Sequence, residues 1–168
     1  MLNLLLGALC VALVVQNRSL KSTHTTALRP GQHVQAFGVR MIDGRTDTFR
    51  FDDPRRRYLL FVFSTTCPYC EESLPRIEDA VRTGAGSGIT PVAVSIHGPA
   101  ETARFVVTHP ISFRVVCADS SDEFQRRNQI TGVPTTMLVD GRGVVQKVWE
   151  GDITADLAAT IRAALARS

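Results

Sequence analysis

Two cysteines three residues apart, Cys67 and Cys70 in "FSTTCPYCEESLP", are the residues of this chain best suited to chemistry. Such a pair can ligate zinc, close a structural disulfide, attach haem, or open and close as a redox couple. Structural zinc needs a second Cys/His pair at matching spacing, and His97, His109 and Cys117 are isolated. Covalent haem needs histidine directly after the second cysteine, where Glu71 stands. A permanent disulfide across so short a loop removes little chain entropy and adds little stability. The context favours the redox couple, because an apolar strand-like run precedes the pair and a helix-like pattern follows it.

That position has a chemical consequence. A helix N-terminus presents unpaired N–H groups and a partial positive charge, which favour a thiolate over a thiol. Cys67 is therefore expected to be the attacking sulfur. Cys70, one turn into the helix, is expected to be the more buried. Pro68 suits a first helical turn, where a missing N–H costs no hydrogen bond.

The elements that must hold this pair are legible from apolar spacing. Val34–Met41 and Thr46–Phe51 read as strands around the turn signal Asp43-Gly44. "RYLLFVFS" (57–64) and "ITPVAVSI" (89–96) are continuous apolar runs, as expected of strands buried on both faces. Pro68 to about Arg82 reads as a helix, with a kink expected at Pro75. "PAETARFVVTH" and "SDEFQRRNQ" read as helices, the second capped by Ser121, with "FRVVCA" a short strand between them. "TTMLVD" and "GVVQKVWE" read as a hairpin across Asp140–Gly143, and "TADLAATIRAALARS" as a closing amphipathic helix. The order β-β, β-α-β-α-β-α, β-β-α implies an α/β domain with a central mixed sheet covered by helices on both faces.

The chain has 168 residues and a formal charge of +3. The basic residues are scattered apart from Arg55–Arg57 and the pair Arg126 and Arg127, which read as solvated faces; no nucleic-acid partner is expected. Four cysteines with one close pair are not a disulfide framework. "MLNLLLGALCVALVV" carries no charge, so residues 1–16 read as a membrane anchor or a cleaved signal. Leu9 before Cys10 does not fit a lipid-attachment site, and Cys10 reads as an apolar membrane residue. Arg18, Lys21 and Arg29 follow the segment and, taken alone, favour a cytoplasmic domain. Residues 17–29 read as a linker and 30–168 as one domain.

Residues 30–168 resemble the thioredoxin fold, and more narrowly the membrane-anchored, extracytoplasmic TlpA/ResA-type thiol-disulfide oxidoreductases, with the MauD proteins close in pattern. The resemblance is carried by "RPGQHVQAFGVRMIDGRTDTF", like that family's extra N-terminal hairpin, by "LLFVFSTTCPYCEESLP", and by "ITGVPTTMLVDGRGVV", like its Gly-x-Pro-Thr-Thr segment. A CxxC followed about 65 residues later by Val-Pro-Thr-Thr is the specific part of the pattern. The resemblance implies that Pro134 is a cis-proline facing the pair and that the Val133 backbone offers an edge for an extended substrate segment. Three positions depart from relatives. Thr66 stands where Trp is frequent, Ser73 where a glutamate is usual, and Phe61 where classical thioredoxins bury an aspartate. No carboxylate is then evident to take the Cys70 proton.

The expected activity is thiol–disulfide exchange with protein thiols and disulfides and an electron donor or acceptor, on the extracytoplasmic side of a bacterial membrane (periplasmic or extracellular). Cys67 and Cys70 would be catalytic, Val133, Pro134, Pro68 and Tyr69 would contact substrate, and no cofactor or metal is needed beyond the Cys67–Cys70 disulfide. Two other readings remain: a metal- or apoprotein-binding module using the cysteines as ligands, and a thiol peroxidase. The second is disfavoured by Leu60 and Ser64, which replace that pattern's Pro and Thr. His97 reads as a loop-edge histidine, Cys117 as a small core residue and Trp149 as packing on the last strand.

Overall fold

A computed structural model describes residues 27–84 and 88–166. The expected anchor or signal (1–16) and nearly all of the linker lie outside the described residues. Among the described residues no helix is long and apolar enough to cross a membrane.

The strands are β1 (Phe37–Arg40), β2 (Thr46–Phe49), β3 (Arg57–Phe63), β4 (Ile89–Ser95), β5 (Arg114–Ala118), β6 (Thr135–Asp140) and β7 (Val145–Glu150). The helices are α1 (Pro68–Thr83), α2 (Pro99–Thr108), α3 (Ser121–Arg127) and α4 (Ala155–Ala166). The strands form one mixed sheet in the order β2-β1-β5-β4-β3-β6-β7. β3 pairs parallel with β4 and antiparallel with β6, which puts the C-terminal end of β3 beside the N-terminal end of β6. The extra N-terminal hairpin is β1–β2, and it joins the sheet through β5.

β3 is central because both its faces are apolar. Leu59, Phe61 and Phe63 point into a core with Leu74 and Ile77 of α1, Phe105 of α2, and Ile161 and Leu165 of α4. Tyr58, Leu60 and Val62 point the other way, onto Phe37, Phe49 and Phe124 of α3. Phe61 and Phe63 are fully buried and stack with ring centroids 5.8 Å apart. Each such buried side chain contributes about 1.5–3 kcal/mol, so β3 is well anchored where it delivers the chain to Cys67.

Some boundaries differ from expectation. The first strand begins at Phe37 rather than Val34, because the preceding backbone bonds elsewhere: Val34 N–H donates to Gly143 O at 2.8 Å and Gln35 N–H to Asn128 Oδ1 at 2.9 Å. Ser120, not Ser121, is the N-cap of α3, and it makes no side-chain cap bond. The Ser121 hydroxyl instead accepts from Gln125 Nε2 at 3.0 Å. α1 runs as one helix through Pro75. Gly44 takes a positive φ of 87° in the first hairpin, as its turn requires.

Candidate active site

The strand-to-helix handover is tight. β3 ends at Phe63, a turn covers Ser64–Thr66, and Cys67 is the N-cap of α1 with Pro68 in the first turn. The Cys67 carbonyl accepts from Cys70 N–H at 3.0 Å and Glu71 N–H at 3.2 Å, closing the first helical turn around the pair. Both cysteines are free thiols, Cys67 half-buried and Cys70 fully buried. The two sulfurs thus have different access on the same turn.

Burial pushes the Cys70 thiol up to about 12. A hydrogen bond from the Ser64 backbone pulls the other way, and the neighbouring Cys67 sulfur adds to the rise. The Cys67 thiol faces the start of β6, where it donates to the Val133 carbonyl at 3.7 Å. The Val133–Pro134 peptide bond is cis, with Pro134 buried and Val133 half-buried. Pro68 is exposed and Tyr69 is 61% exposed, so both lie on the rim around Cys67. The fold therefore gathers Cys67, Cys70, Pro68, Tyr69, Val133 and Pro134 at one end of the sheet.

Ser73 is fully buried. Its hydroxyl lies 2.6 Å from Tyr69 O and 2.9 Å from Asp152 Oδ1, and it accepts the Ile153 N–H at 2.9 Å. A carboxylate does reach this face of α1, but from the loop between β7 and α4. Glu71 points to another face, where it meets His109 Nε2 at 2.6 Å.

His97 is not a plain loop-edge residue. Its ring sits against the Ser64–Thr66 turn and Glu101, with Nε2 3.0 Å from Ser64 Oγ. An open groove of about 410 Å³ runs beside the turn, lined by Thr65, Thr66, Glu101, Arg104, Phe105 and His109 among others. Sequence reasoning missed Ser64, Thr65, Glu101 and Asp152. His97 and Glu101 stand four apart, which is a readable signal, but their link to Ser64 spans 33 residues and belongs to the tertiary structure. Cys117 is buried in β5, and burial raises its thiol. Trp149 packs into the core and donates to Thr160 Oγ1 at 3.1 Å. Among the described residues no group of three or more His, Cys, Asp or Glu side chains could hold a metal ion.

A thioredoxin-like sheet with two unequal thiols at a helix N-terminus defines the class, that of thioredoxin-like thiol-disulfide oxidoreductases. The chain belongs to the AhpC/TSA family, whose model matches residues 30–148. It is 28% identical to the thiol-disulfide oxidoreductase ResA of Halalkalibacterium halodurans over 127 residues, covering 75% of this chain and 71% of that one. It is 31% identical to the methylamine utilization protein MauD of Methylobacillus flagellatus over 117 residues, covering 69% of this chain and 55% of MauD. Among solved structures, StoA from Bacillus subtilis superposes with a TM-score of 0.61 at 20% identity, covering 80% of this chain and 98% of StoA. That likeness speaks for the fold.

Proposed function

We propose that this protein exchanges disulfides with protein substrates through Cys67 and Cys70, on the extracytoplasmic side of a bacterial membrane. The observation that carries the reading is the unequal access of the two sulfurs: Cys67 is half-buried beside the Val133 carbonyl, while Cys70 is fully buried behind it. An incoming disulfide meets Cys67 first. The apolar segment 1–16 supports attachment to a membrane, with 17–29 as the tether of the domain 30–168, and the resemblance to the extracytoplasmic TlpA/ResA-type proteins supports the side, against the charges of Arg18, Lys21 and Arg29.

In the reducing direction the Cys67 thiolate attacks one sulfur of a substrate disulfide. A Cys67–substrate bond forms, the substrate S–S bond breaks, and the released sulfur takes a proton. The Cys70 sulfur, deprotonated, then attacks Cys67 and frees the second substrate sulfur. Two electrons have passed to the substrate, and the Cys67–Cys70 disulfide remains for a thiol donor to reduce. The reverse sequence oxidises a dithiol. Val133 offers its backbone to an extended substrate segment, Pro134 holds that backbone in place, and Pro68 and Tyr69 meet the substrate at the rim.

Cys70→Ser tests the scheme. It should accumulate mixed disulfides between Cys67 and substrate proteins, resolved by dithiothreitol and visible on non-reducing gels. Cys67→Ser should form none and lose activity. If Cys70→Ser captures no protein under conditions where the wild type turns over, the scheme fails.

A further inference from the structure

The end of the sheet farthest from the cysteines gathers positive charge. On sequence alone Arg55–Arg57 read as a solvated face, but the fold adds a fourth arginine from far along the chain. Arg55, Arg56 and Arg57 lead into β3, and Arg142 sits on the turn between β6 and β7. The pairing of Arg57 with Asp140 brings the two stretches together. An open cleft of about 430 Å³ lies there, lined by Arg55, Arg56, Arg57, Asp140 and Arg142 among others. Its two sides are packed on each other: a Cβ on Gly141 would fall 1.7 Å from Asp53 O. The four arginines therefore sit on one frame.

The acids of this end are largely engaged. Asp53 Oδ1 accepts the Arg55 N–H at 3.0 Å, and Asp53 Oδ2 pairs with Arg56 Nε at 2.9 Å. Asp140 Oδ1 accepts the Arg142 and Val144 N–H groups, each at 2.9 Å. Asp52 is the remaining acid of the loop, and it is exposed. Arg55 and Arg142 are exposed and enter no ion pair among the described residues. Guanidinium groups spread over an open surface suit phosphates that are themselves presented as a surface.

Two relationships say which surface. The cleft is at the start of β3 and the end of β6, whereas Cys67 follows the end of β3 and meets Val133 before the start of β6. β3 has seven residues and spans about 20 Å, so Cys67 lies at least that far from the arginines. Residues 31–34 run along the turn that carries Arg142: Gly31 N–H donates to Val145 O and Val34 N–H to Gly143 O, each at 2.8 Å. The tether 17–29 thus meets the domain within a few residues of the basic end.

We propose that the end of the domain carrying Arg55–Arg57 and Arg142 docks on the anionic phospholipid headgroups of the membrane to which the chain is attached, and so holds Cys67 away from the bilayer. This rests on the membrane attachment proposed above. The tether keeps the domain near the lipid, and the arginines choose which end faces it. Attraction of this kind is screened by salt within a Debye length.

The test reconstitutes the full chain into vesicles of phosphatidylcholine alone and of equal parts phosphatidylcholine and phosphatidylglycerol. Arginines are modified with phenylglyoxal and read by peptide mass mapping. Arg55 and Arg142 should react about fivefold more slowly in the phosphatidylglycerol vesicles, a difference that about 0.5 M sodium chloride removes. Arg104, in the groove beside the Ser64–Thr66 turn, should react alike in both, and iodoacetamide should label Cys67 alike in both. Arg55→Glu should restore the reactivity of Arg142 in phosphatidylglycerol vesicles, and Arg55→Lys should leave it protected. Equal reactivity of wild-type Arg55 and Arg142 in the two vesicles would overturn the proposal. So would equal slowing of Arg104 and Cys67, which would bring the wrong end to the lipid. Equal protection by millimolar inorganic phosphate in phosphatidylcholine vesicles would mark a small-anion site and overturn it too. Flotation on a density gradient reads attachment by itself. Wild type that floats with neither vesicle sinks the membrane location proposed above, whereas wild type that floats with both and shows no protection sinks the docking alone.

Discussion

Ser73 Oγ stands 2.9 Å from Asp152 Oδ1 and accepts the Ile153 N–H at 2.9 Å, tying the face of α1 one turn past Cys70 to the loop before α4. The hydroxyl has one hydrogen, which serves either Asp152 or the Tyr69 carbonyl. Ser73→Ala leaves the buried Ile153 N–H unpaired and should cost about 1–3 kcal/mol. The urea midpoint should fall with the slope of the transition unchanged. An unaltered midpoint would show that Ile153 finds another acceptor.

The two sulfurs should label unequally. Iodoacetamide on the folded, reduced protein at pH 8 should modify Cys67 and leave Cys70 and Cys117 unmodified, because both are buried. Peptide mass mapping reads the outcome. All three should label once the protein is unfolded in guanidinium. Equal labelling of Cys67 and Cys70 in the folded protein would contradict the buried position of Cys70.

Stability of the dithiol form should fall at high pH. Burial raises Cys70 from 9.0 to about 12 in the folded state. The folded protein therefore keeps a proton that the unfolded chain has already lost. The contribution is complete below pH 9.0 and is lost as pH rises towards about 12. Denaturation midpoints of reduced wild type should decline between pH 9 and 11 more steeply than those of Cys70→Ala. Parallel curves would place the loss elsewhere.

At the acid end the sign reverses. Glu101 is lowered from 4.5, first by the Thr65 hydroxyl and then by His97. Its contribution is present above 4.5 and lost as pH falls through the lowered value. Glu101→Gln should flatten the pH dependence of stability in that range, as followed by circular dichroism. Unchanged acid dependence would remove Glu101 from the linkage.

Gly141 and Gly44 should respond differently to alanine. A Cβ at Gly141 would lie 1.7 Å from Asp53 O, a backbone atom that cannot swing aside, whereas Gly44 meets nothing within 4 Å. Gly141→Ala should cost about 1–3 kcal/mol or more, from overpacking. Gly44→Ala meets no clash and should cost only about 1 kcal/mol, for its positive φ. Thermal midpoints compare them directly, and an equal loss would refute the steric account.

What the sequence determined by itself was local or periodic. The two-faced apolar run 57–63 marks a central strand because burial on both sides demands it. The helix after Cys67 follows from Leu74 and Ile77 at helical spacing, and both hairpins from their Asp-Gly turns. The cysteine pair and Val133-Pro134 could be picked out as residue types in context. What only the tertiary structure decided was which distant side chains meet that pair. Asp152 joins Ser73 across 79 residues and His97 joins Ser64 across 33. A single polar residue carries no periodic pattern that names its partner. Ser73 and Ser64 are buried polar groups, and a buried polar group must find a hydrogen bond wherever the packed elements bring one. Sheet order sets those partners: β4 lies beside β3 and brings His97 to the turn at Ser64–Thr66, and the loop after β7 carries Asp152 onto α1.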